Sequence, residues 1–253
     1  MSGTVHLVGA GPGAADLLTV RAARLLGEAD IVFHDALVPE DILKLCPGEL
    51  VSVGKRCGKH SAAQRFINKR LLDAARRYRT VVRLKGGDPM MFGRAQEEIS
   101  YLSTHGVRVE IVPGITAALA AGAELGISLT QRGIARSVVF ATPRKAVEEA
   151  PSSWVHAVAA ADTAVLYMAA GDAAEVREQL LSAGLRPHTP AAVAESVTLP
   201  SQNVHAGTLA MLPELAARCG GGPALVLLGD VFAGLQAAAT RSMREPRTAS
   251  HTA

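Results

Sequence analysis

An apolar run that carries two cations ends at a Gly-Gly-Asp-Pro turn, a combination that can bind a polar ligand. The run is Val81-Val82-Arg83-Leu84-Lys85-Gly86-Gly87-Asp88-Pro89. Glycines let a ligand come close to the main chain, and an aspartate accepts hydrogen bonds from ammonium or hydroxyl groups. Because ligands of open α/β sheets bind at the carboxyl ends of strands, this run predicts a binding turn directly after a strand.

A second glycine-rich turn, Gly9-Ala10-Gly11-Pro12-Gly13, lies between an apolar run and a helical pattern near the N-terminus. One interpretation is a dinucleotide fingerprint, with Asp35 as the acid that binds a ribose. The spacing argues against it, because the third glycine comes two residues after the second instead of three. Pro12 also removes a backbone donor that a pyrophosphate would need. The turn therefore predicts close approach to a ligand without a phosphate-binding nest.

Asp35 follows the second predicted strand, where a carboxylate can accept a proton or stabilise positive charge. Capping a turn is the alternative role for such an aspartate. The segment 51–72 has six Lys or Arg residues and no acidic residue, whereas acidic residues outnumber basic ones in the rest of the chain. This segment favours an anionic ligand, with a solvated helix face as the alternative. Nucleic acid is disfavoured because few aromatic residues alternate with the cations.

Strand and helix patterns alternate along the whole chain and predict an α/β protein with a parallel or mainly parallel first sheet. In the first half we predict strands at 4–8, 30–33, 50–53, 81–84 and 108–112 and helices at 16–26, 40–45, 61–78 and around 97–101. In the second half we predict strands at 137–141, 163–168, 191–195, 203–207 and 224–228 and helices near 155 and at 172–182. Pro113-Gly114 marks a break, followed by a bridging helix at 116–125. We therefore expect lobes at 1–113 and 114–235, and a disordered tail at 236–253.

Composition excludes several classes of protein. The 253-residue chain has no apolar run near the roughly 18 residues that a membrane span requires. No basic segment followed by an apolar stretch opens the chain, so we expect no signal peptide. Its three cysteines have neither metal-ligand spacing nor a paired framework. These features predict a reduced, cytoplasmic protein without a metal and without a membrane partner.

Seven segments stand in a particular order along the chain: Val8-Gly9-Ala10-Gly11-Pro12-Gly13, His34-Asp35-Ala36-Leu37-Val38, Val53-Gly54-Lys55-Arg56, Leu84-Lys85-Gly86-Gly87-Asp88-Pro89, Phe92-Gly93-Arg94, Val112-Pro113-Gly114-Ile115-Thr116-Ala117 and Tyr167-Met168. In this order they resemble the S-adenosylmethionine-dependent tetrapyrrole methyltransferases. The second and third segments, with His60-Ser61, are similar to the uroporphyrinogen-III C-methyltransferase branch of that family. The resemblance covers residues 4–234.

The resemblance implies the tetrapyrrole methylase fold, two α/β lobes with a cofactor cleft between them. It implies S-adenosyl-L-methionine as methyl donor and S-adenosyl-L-homocysteine as product. The expected reaction methylates uroporphyrinogen III at two ring carbons, C2 and C7, giving precorrin-2 through precorrin-1. That product would serve the synthesis of sirohaem, cobalamin or another modified haem. The family also implies a homodimer, and because its pattern fills the chain we expect no fused dehydrogenase or chelatase segment.

The resemblance also assigns roles to individual residues. Asp35 and Lys55 would carry out acid/base catalysis, which agrees with the need to remove one proton and place another when a pyrrole carbon is methylated. The cofactor site would be lined by Pro12, Gly86, Gly87, Asp88, Met91, Thr116, Ala117, Met168, Val197 and Ala224. Asp88 would meet the polar end of the cofactor. The carboxylates of the substrate would be bound by Arg56, Lys59, Arg65 and Arg94.

Several positions depart from the usual family pattern, among them Met90-Met91, Gln131 and Val197. They bear on substrate contacts and on how many methylations occur. Three alternatives therefore accompany the leading interpretation. The chain could methylate a later precorrin, act as a nicotinamide-dependent oxidoreductase built on the first glycine turn, or bind a tetrapyrrole without catalysis.

Overall fold

The computed structural model describes residues 3–54, 60–145 and 153–235. Within these ranges the strands are β1 (Thr4–Gly9), β2 (Ile31–His34), β3 (Glu49–Ser52), β4 (Thr80–Lys85), β5 (Arg108–Val112), β6 (Val138–Ala141), β7 (Thr163–Tyr167), β8 (Pro190–Glu195), β9 (Asn203–Thr208) and β10 (Ala224–Gly229). The α-helices are α1 (Val20–Gly27), α2 (Glu40–Leu43), α3 (His60–Ala75), α4 (Ala95–Thr104), α5 (Ala117–Glu124), α6 (Trp154–Ala160), α7 (Ala173–Ser182) and α8 (Leu212–Ala216). Short 3-10 helices lie at Ala15–Leu17, Ala170–Asp172, Leu209–Met211 and Asp230–Phe232.

The chain divides into two compact units, residues 1–120 and 121–253, with the boundary inside α5. Each unit contains one five-stranded sheet. The predicted α/β class is therefore confirmed in both halves. Among the described residues, no helix combines the length and the apolar character that crossing a membrane would require.

The first unit is built on a parallel sheet with strand order β3-β2-β4-β1-β5. Strands β1 and β2 carry buried apolar residues on both faces, as expected for a parallel sheet covered by helices on each side. Leu7 and Phe33 pack on one face with residues of α3 and α4, whereas Val8 and Val32 pack on the other with residues of α1 and α2. Because every strand points the same way, the turns that follow β1, β2, β4 and β5 all lie at one edge.

The second unit is built on a mixed sheet with strand order β6-β7-β10-β8-β9. β6 and β7 are parallel, while β10 runs antiparallel to both β7 and β8, and β9 runs antiparallel to β8. Leu166, Val193 and Val226 pack with Leu180 and Leu212 from the helices. The short helix α8 was not predicted from the sequence, since five residues are too few to show a helical period.

Candidate functional site

Two of the predicted ligand-binding turns are joined to each other at the carboxyl edge of the first sheet. The Gly11 N–H donates to the carbonyl oxygen of Gly87 at 3.1 Å, and the Gly87 N–H donates to the carbonyl oxygen of Gly11 at 2.7 Å. Both residues have left-handed backbones, with φ of 72° and 67°, which explains why glycine occupies these positions. A Cβ on Gly87 would meet only the Cα of Thr116, at 3.9 Å, so there is room beside the turn for a ligand.

A third turn, at Pro113-Gly114, packs directly against the first two. A Cβ on Gly9 would lie 2.6 Å from the Cα of Gly114, so this approach of two backbones requires glycine. The carboxylate of Asp88 accepts hydrogen bonds from the N–H of Gly114, at 3.0 Å, and from the N–H of Met90, at 2.8 Å. Asp88 therefore links the turns after β4 and β5, and this contact was not foreseen from the sequence.

Asp35 lies at the same edge, immediately after β2. Its N–H donates to the carbonyl oxygen of Leu84 at 3.3 Å, which places the residue beside the end of β4. About a third of its side chain is exposed, and its Oδ1 accepts a hydrogen bond from Nη2 of Arg83 at 2.5 Å. Asp35 is thus a carboxylate that is held on one side and remains accessible to solvent on the other.

A buried group of charges lies behind Asp35. Arg83 and Lys85 are almost completely buried, and Glu98 of α4 is entirely buried. Oε1 of Glu98 accepts hydrogen bonds from Nε of Arg83, from Nζ of Lys85 and from Nε2 of Gln64, each at 3.1 Å. Nζ of Lys85 also lies 3.0 Å from Oε2. Two cations and two carboxylates, including Asp35, therefore balance one another.

Their surroundings lower the pKa of Lys85 but raise the pKa of Arg83. Burial lowers the pKa of Lys85, and the positive charge of Arg83 lowers that pKa further, although Glu98 opposes both effects. Burial also acts against the charge of Arg83, but the carboxylates of Asp35 and Glu98 outweigh it and raise the pKa of Arg83. Arg83 is accordingly the permanent cation of the group.

Of the predicted catalytic and substrate-binding cations, only Arg65 and Arg94 lie among the described residues. Lys55, Arg56 and Lys59 lie outside the described residues. Arg65 is exposed on α3. Arg94 precedes α4 with a left-handed φ of 56°, and its Nε and Nη2 donate to the two carboxylate oxygens of Glu97 at 2.7 and 2.8 Å.

The remaining predicted cofactor residues lie in the second unit, where three strand ends coincide. β10 pairs with β7 and β8 so that Leu225 is opposite Tyr167 and Ala224 is opposite Glu195. The start of β10 therefore lies beside the residues that follow β7 and β8, and this brings Met168, Val197 and Ala224 to one edge of the second sheet. Met168 has a left-handed φ of 55°, an uncommon conformation for a residue with a side chain.

A buried carboxylate fixes the turn that leads into Ala224. The two oxygens of Glu195 accept hydrogen bonds from the N–H groups of Gly220, at 2.9 Å, and Gly222, at 2.6 Å. These bonds hold the pKa of Glu195 below its usual range, because they stabilise the ionised form. No group of three or more His, Cys, Asp or Glu side chains is placed to hold a metal ion in the described part of the chain.

Comparison with known proteins identifies the family. Residues 4–213 match the family described as Tetrapyrrole (Corrin/Porphyrin) Methylases. The chain belongs to the tetrapyrrole methylases. A tetrapyrrole methylase from Pseudomonas aeruginosa, named uroporphyrinogen-III C-methyltransferase, is 45% identical over 233 residues, which is 91% of this chain and 95% of that protein. The siroheme synthase of Pseudomonas fluorescens strain Pf0-1 is 46% identical over 233 residues, 91% of this chain but 50% of that protein. The chain thus spans about half the length of the siroheme synthases that it matches.

Solved tetrapyrrole methylase structures have the same fold. Uroporphyrin-III C-methyltransferase from Thermus thermophilus, in complex with S-adenosyl homocysteine, is 39% identical with a TM-score of 0.79, over 90% of this chain and 93% of that one. A cobalamin biosynthetic enzyme, cobalt precorrin-4 methyltransferase, is 28% identical with a TM-score of 0.79, over 90% of this chain and 95% of that one. The predicted resemblance and the predicted fold are confirmed.

Arg83, Lys85 and Glu98 were not assigned a role from the tetrapyrrole methylase motifs. A signal was present, since two cations two residues apart in an otherwise apolar strand point to the same face and must meet opposite charge if that face is buried. Glu98, in the first turn of the next helix, was one acidic residue that could pair with these cations. The sequence could not show which of several acidic residues would be buried beside them.

Proposed function

We propose that this tetrapyrrole methylase is an S-adenosylmethionine-dependent uroporphyrinogen-III C-methyltransferase. It methylates uroporphyrinogen III at C2 and C7 and gives precorrin-2 through precorrin-1. The observation that carries the proposal is the position of Asp35, a partly exposed carboxylate held by Arg83 at the sheet edge that also bears the joined glycine turns. The similarity to the Pseudomonas aeruginosa enzyme over 95% of its length supports the choice of substrate.

The glycine turns fit a ligand that contacts the backbone. A side chain on residue 87 would fill the space beside this turn. The left-handed backbone of Gly87 also disfavours most other residues. When bound, S-adenosylmethionine supplies an electrophilic methyl group on its sulfonium sulfur. The residues proposed to hold it are Pro12, Gly86, Gly87, Asp88, Met91, Thr116 and Ala117 from the first unit and Met168, Val197 and Ala224 from the second.

The proposed catalytic residues handle protons. Positive charge develops on the macrocycle as its carbon gains a methyl group, and a proton must then leave. Asp35 stabilises that charge and accepts the proton, because its carboxylate is held by Arg83 on one side and accessible on the other. Lys55 is proposed as the second acid/base residue. The substrate is a polycarboxylate, and Arg56, Lys59, Arg65 and Arg94 are proposed to bind its carboxylates.

Further proposals follow from the family. Residues 1–113 carry the substrate-binding and catalytic residues, and residues 114–235 supply further cofactor-binding residues. The protein acts as a homodimer in the cytoplasm on a small-molecule tetrapyrrole, with no nucleic acid or membrane partner. Its product serves sirohaem or cobalamin synthesis.

A second candidate is methylation of a later precorrin, which the similarity to cobalt precorrin-4 methyltransferase favours. Membership of the tetrapyrrole methylases argues against the nicotinamide-dependent oxidoreductase. The remaining alternative, tetrapyrrole binding without catalysis, is decided by whether any methyl transfer occurs.

The test is anaerobic incubation of the protein with S-adenosylmethionine and freshly prepared uroporphyrinogen III, followed by mass spectrometry of the tetrapyrroles. Gain of two methyl groups is expected. Gain of one would limit the reaction to the first methylation, and an unchanged substrate would contradict the proposal. Calorimetric titration with S-adenosylhomocysteine distinguishes a wrong substrate from a protein that does not bind the cofactor.

A further inference from the structure

Glu98 is a completely buried carboxylate to which the proposed reaction gives no role. It lies in the first turn of α4, where a helix dipole favours negative charge, but that explains neither its burial nor its partners. Its side chain accepts from Arg83, Lys85 and Gln64, all three of them buried. Burying a carboxylate this deeply costs free energy unless it is paired. Glu98 is paired with two cations and one amide, and this pairing ties its position to theirs.

The guanidinium of Arg83 connects Glu98 to Asp35. Its Nε donates to Glu98, and its Nη2 donates to Asp35. Nη1 donates to the carbonyl oxygens of Leu84, at 3.1 Å, and Phe33, at 3.4 Å. Because a guanidinium is planar and rigid, a displacement at its Glu98 end must also move its Asp35 end.

The charges of the group are also linked to one another through Arg83. Glu98 and Asp35 share the positive charge of Arg83, while Lys85 adds a second cation next to Glu98. Without the charge of Glu98, both cations would act on Asp35 alone. The Arg83 guanidinium would then keep a carboxylate partner at one end only, so its orientation, and with it that of Asp35, would be less well fixed.

We propose that Glu98 is a positioning residue that sets the orientation of Asp35 through Arg83. This inference rests on the proposed role of Asp35 as proton acceptor. It predicts that Glu98 affects turnover without contacting substrate or cofactor.

A double-mutant cycle tests the inference, using Glu98→Gln, Asp35→Asn and the double variant in the methyl-transfer assay. Glu98→Gln alone is expected to lower kcat about 10–100-fold, as small misplacements of a reacting group do, with little change in the KM for S-adenosylmethionine. In the Asp35→Asn background the same substitution should change kcat less than about twofold, because residues that act as one unit are not additive.

Two further variants separate positioning from folding. Asp30 accepts hydrogen bonds from the N–H groups of Arg79 and Thr80 at the opposite end of β2 and β4, so Asp30→Asn should lower the melting temperature and leave kcat unchanged. If Glu98→Gln does not fold, Lys85→Met combined with Glu98→Gln removes one charge of each sign and restores the balance. This combination should fold and still turn over slowly.

Three results would overturn the inference. Wild-type kcat in Glu98→Gln, or in the charge-balanced variant, beside a strongly reduced kcat in Asp35→Asn, would remove the positioning role and leave the proposed function intact. An equal loss from Glu98→Gln in both backgrounds would show an effect independent of Asp35. Wild-type turnover in Asp35→Asn would instead overturn the role of Asp35 itself, and the positioning role with it.

Discussion

A side chain at Gly87 would have two separable effects, because the residue combines a left-handed backbone with open space beside it. Leucine in a left-handed conformation costs about 1–2 kcal/mol of stability. Leucine there would also fill the space proposed for the cofactor. We expect Gly87→Leu to weaken binding of S-adenosylhomocysteine at least about 100-fold, measured by calorimetry, which corresponds to about 2.7 kcal/mol.

Gly106 provides the matched control for the backbone effect. It has a similar φ of 72°, it is exposed, and no atom lies within 4 Å of a Cβ placed on it. Gly106→Leu should therefore lower stability by a similar amount and leave cofactor affinity unchanged. Wild-type affinity in Gly87→Leu would remove this turn from the proposed cofactor site.

For individual residues, the sequence predicted where they lie in the fold better than which other residues they contact. Asp35 and the glycines of the first unit were expected at strand ends, and they lie there because parallel strands bring their turns to one edge. The bonds of Asp88 to Gly114 and Met90 could not be predicted, since they join turns that are distant in sequence. The burial of Glu98 depends in the same way on how α4 packs on the sheet.

Among the elements of the second unit, Asp162 holds the starts of two parallel strands together. Its carboxylate accepts hydrogen bonds from the N–H of Arg136, at 2.8 Å, and from the N–H and hydroxyl of Ser137, at 2.9 and 2.8 Å. These bonds lower the pKa of Asp162 from its ordinary value of 3.8, because they stabilise the ionised form. A group whose pKa is lower in the folded state stabilises the fold above its unfolded pKa, and this contribution disappears as the pH falls through its folded pKa.

We therefore expect Asp162→Asn to lower the melting temperature by about 2–6 °C at pH 7. The difference from the wild type should shrink as the pH falls below 3.8. Asp230→Asn is the control, because its ion pair with Arg186 spans 3.5 Å at an exposed position and such pairs contribute little. A difference that stays constant from pH 7 to acidic pH would contradict this account of Asp162.

The two sheets differ in how well their elements could be predicted. Alternation of strands and helices determines a parallel arrangement when each strand is followed by a crossover helix, and the first sheet obeys this rule. In the second sheet β8 and β9 are joined by the short segment 196–202, which permits antiparallel pairing, and β10 inserts between β7 and β8. That insertion depends on tertiary packing, so the order of elements alone does not reveal it.

For the whole molecule, the distribution of charge bears on substrate capture. Six cations without an acid in segment 51–72, in a chain that is otherwise acidic on balance, should attract a polycarboxylate. Raising NaCl from about 0.1 M to about 1 M shortens the Debye length from about 10 Å to about 3 Å. We expect the KM for the tetrapyrrole to rise severalfold over this range in steady-state assays.

S-adenosylhomocysteine serves as the control ligand, because it lacks the many carboxylates of the tetrapyrrole. Its dissociation constant, measured by calorimetry at both salt concentrations, should change much less. A tetrapyrrole KM that does not depend on salt would contradict a role for these cations in binding the substrate.

The strand order of the first sheet also determines when this unit can form during synthesis. β4 lies between β1 and β2, although three strands precede it in the sequence. Until Thr80–Lys85 has left the ribosome, β1 and β2 have no neighbour in common, and Asp35 has no Arg83 to hold it. Long-range pairing of this kind is slow, because the intervening loops must close before the contacts form. The pairing of β1 and β2 with β4, the contact of Arg83 with Asp35 and the joining of the two glycine turns can therefore form only after this segment is available.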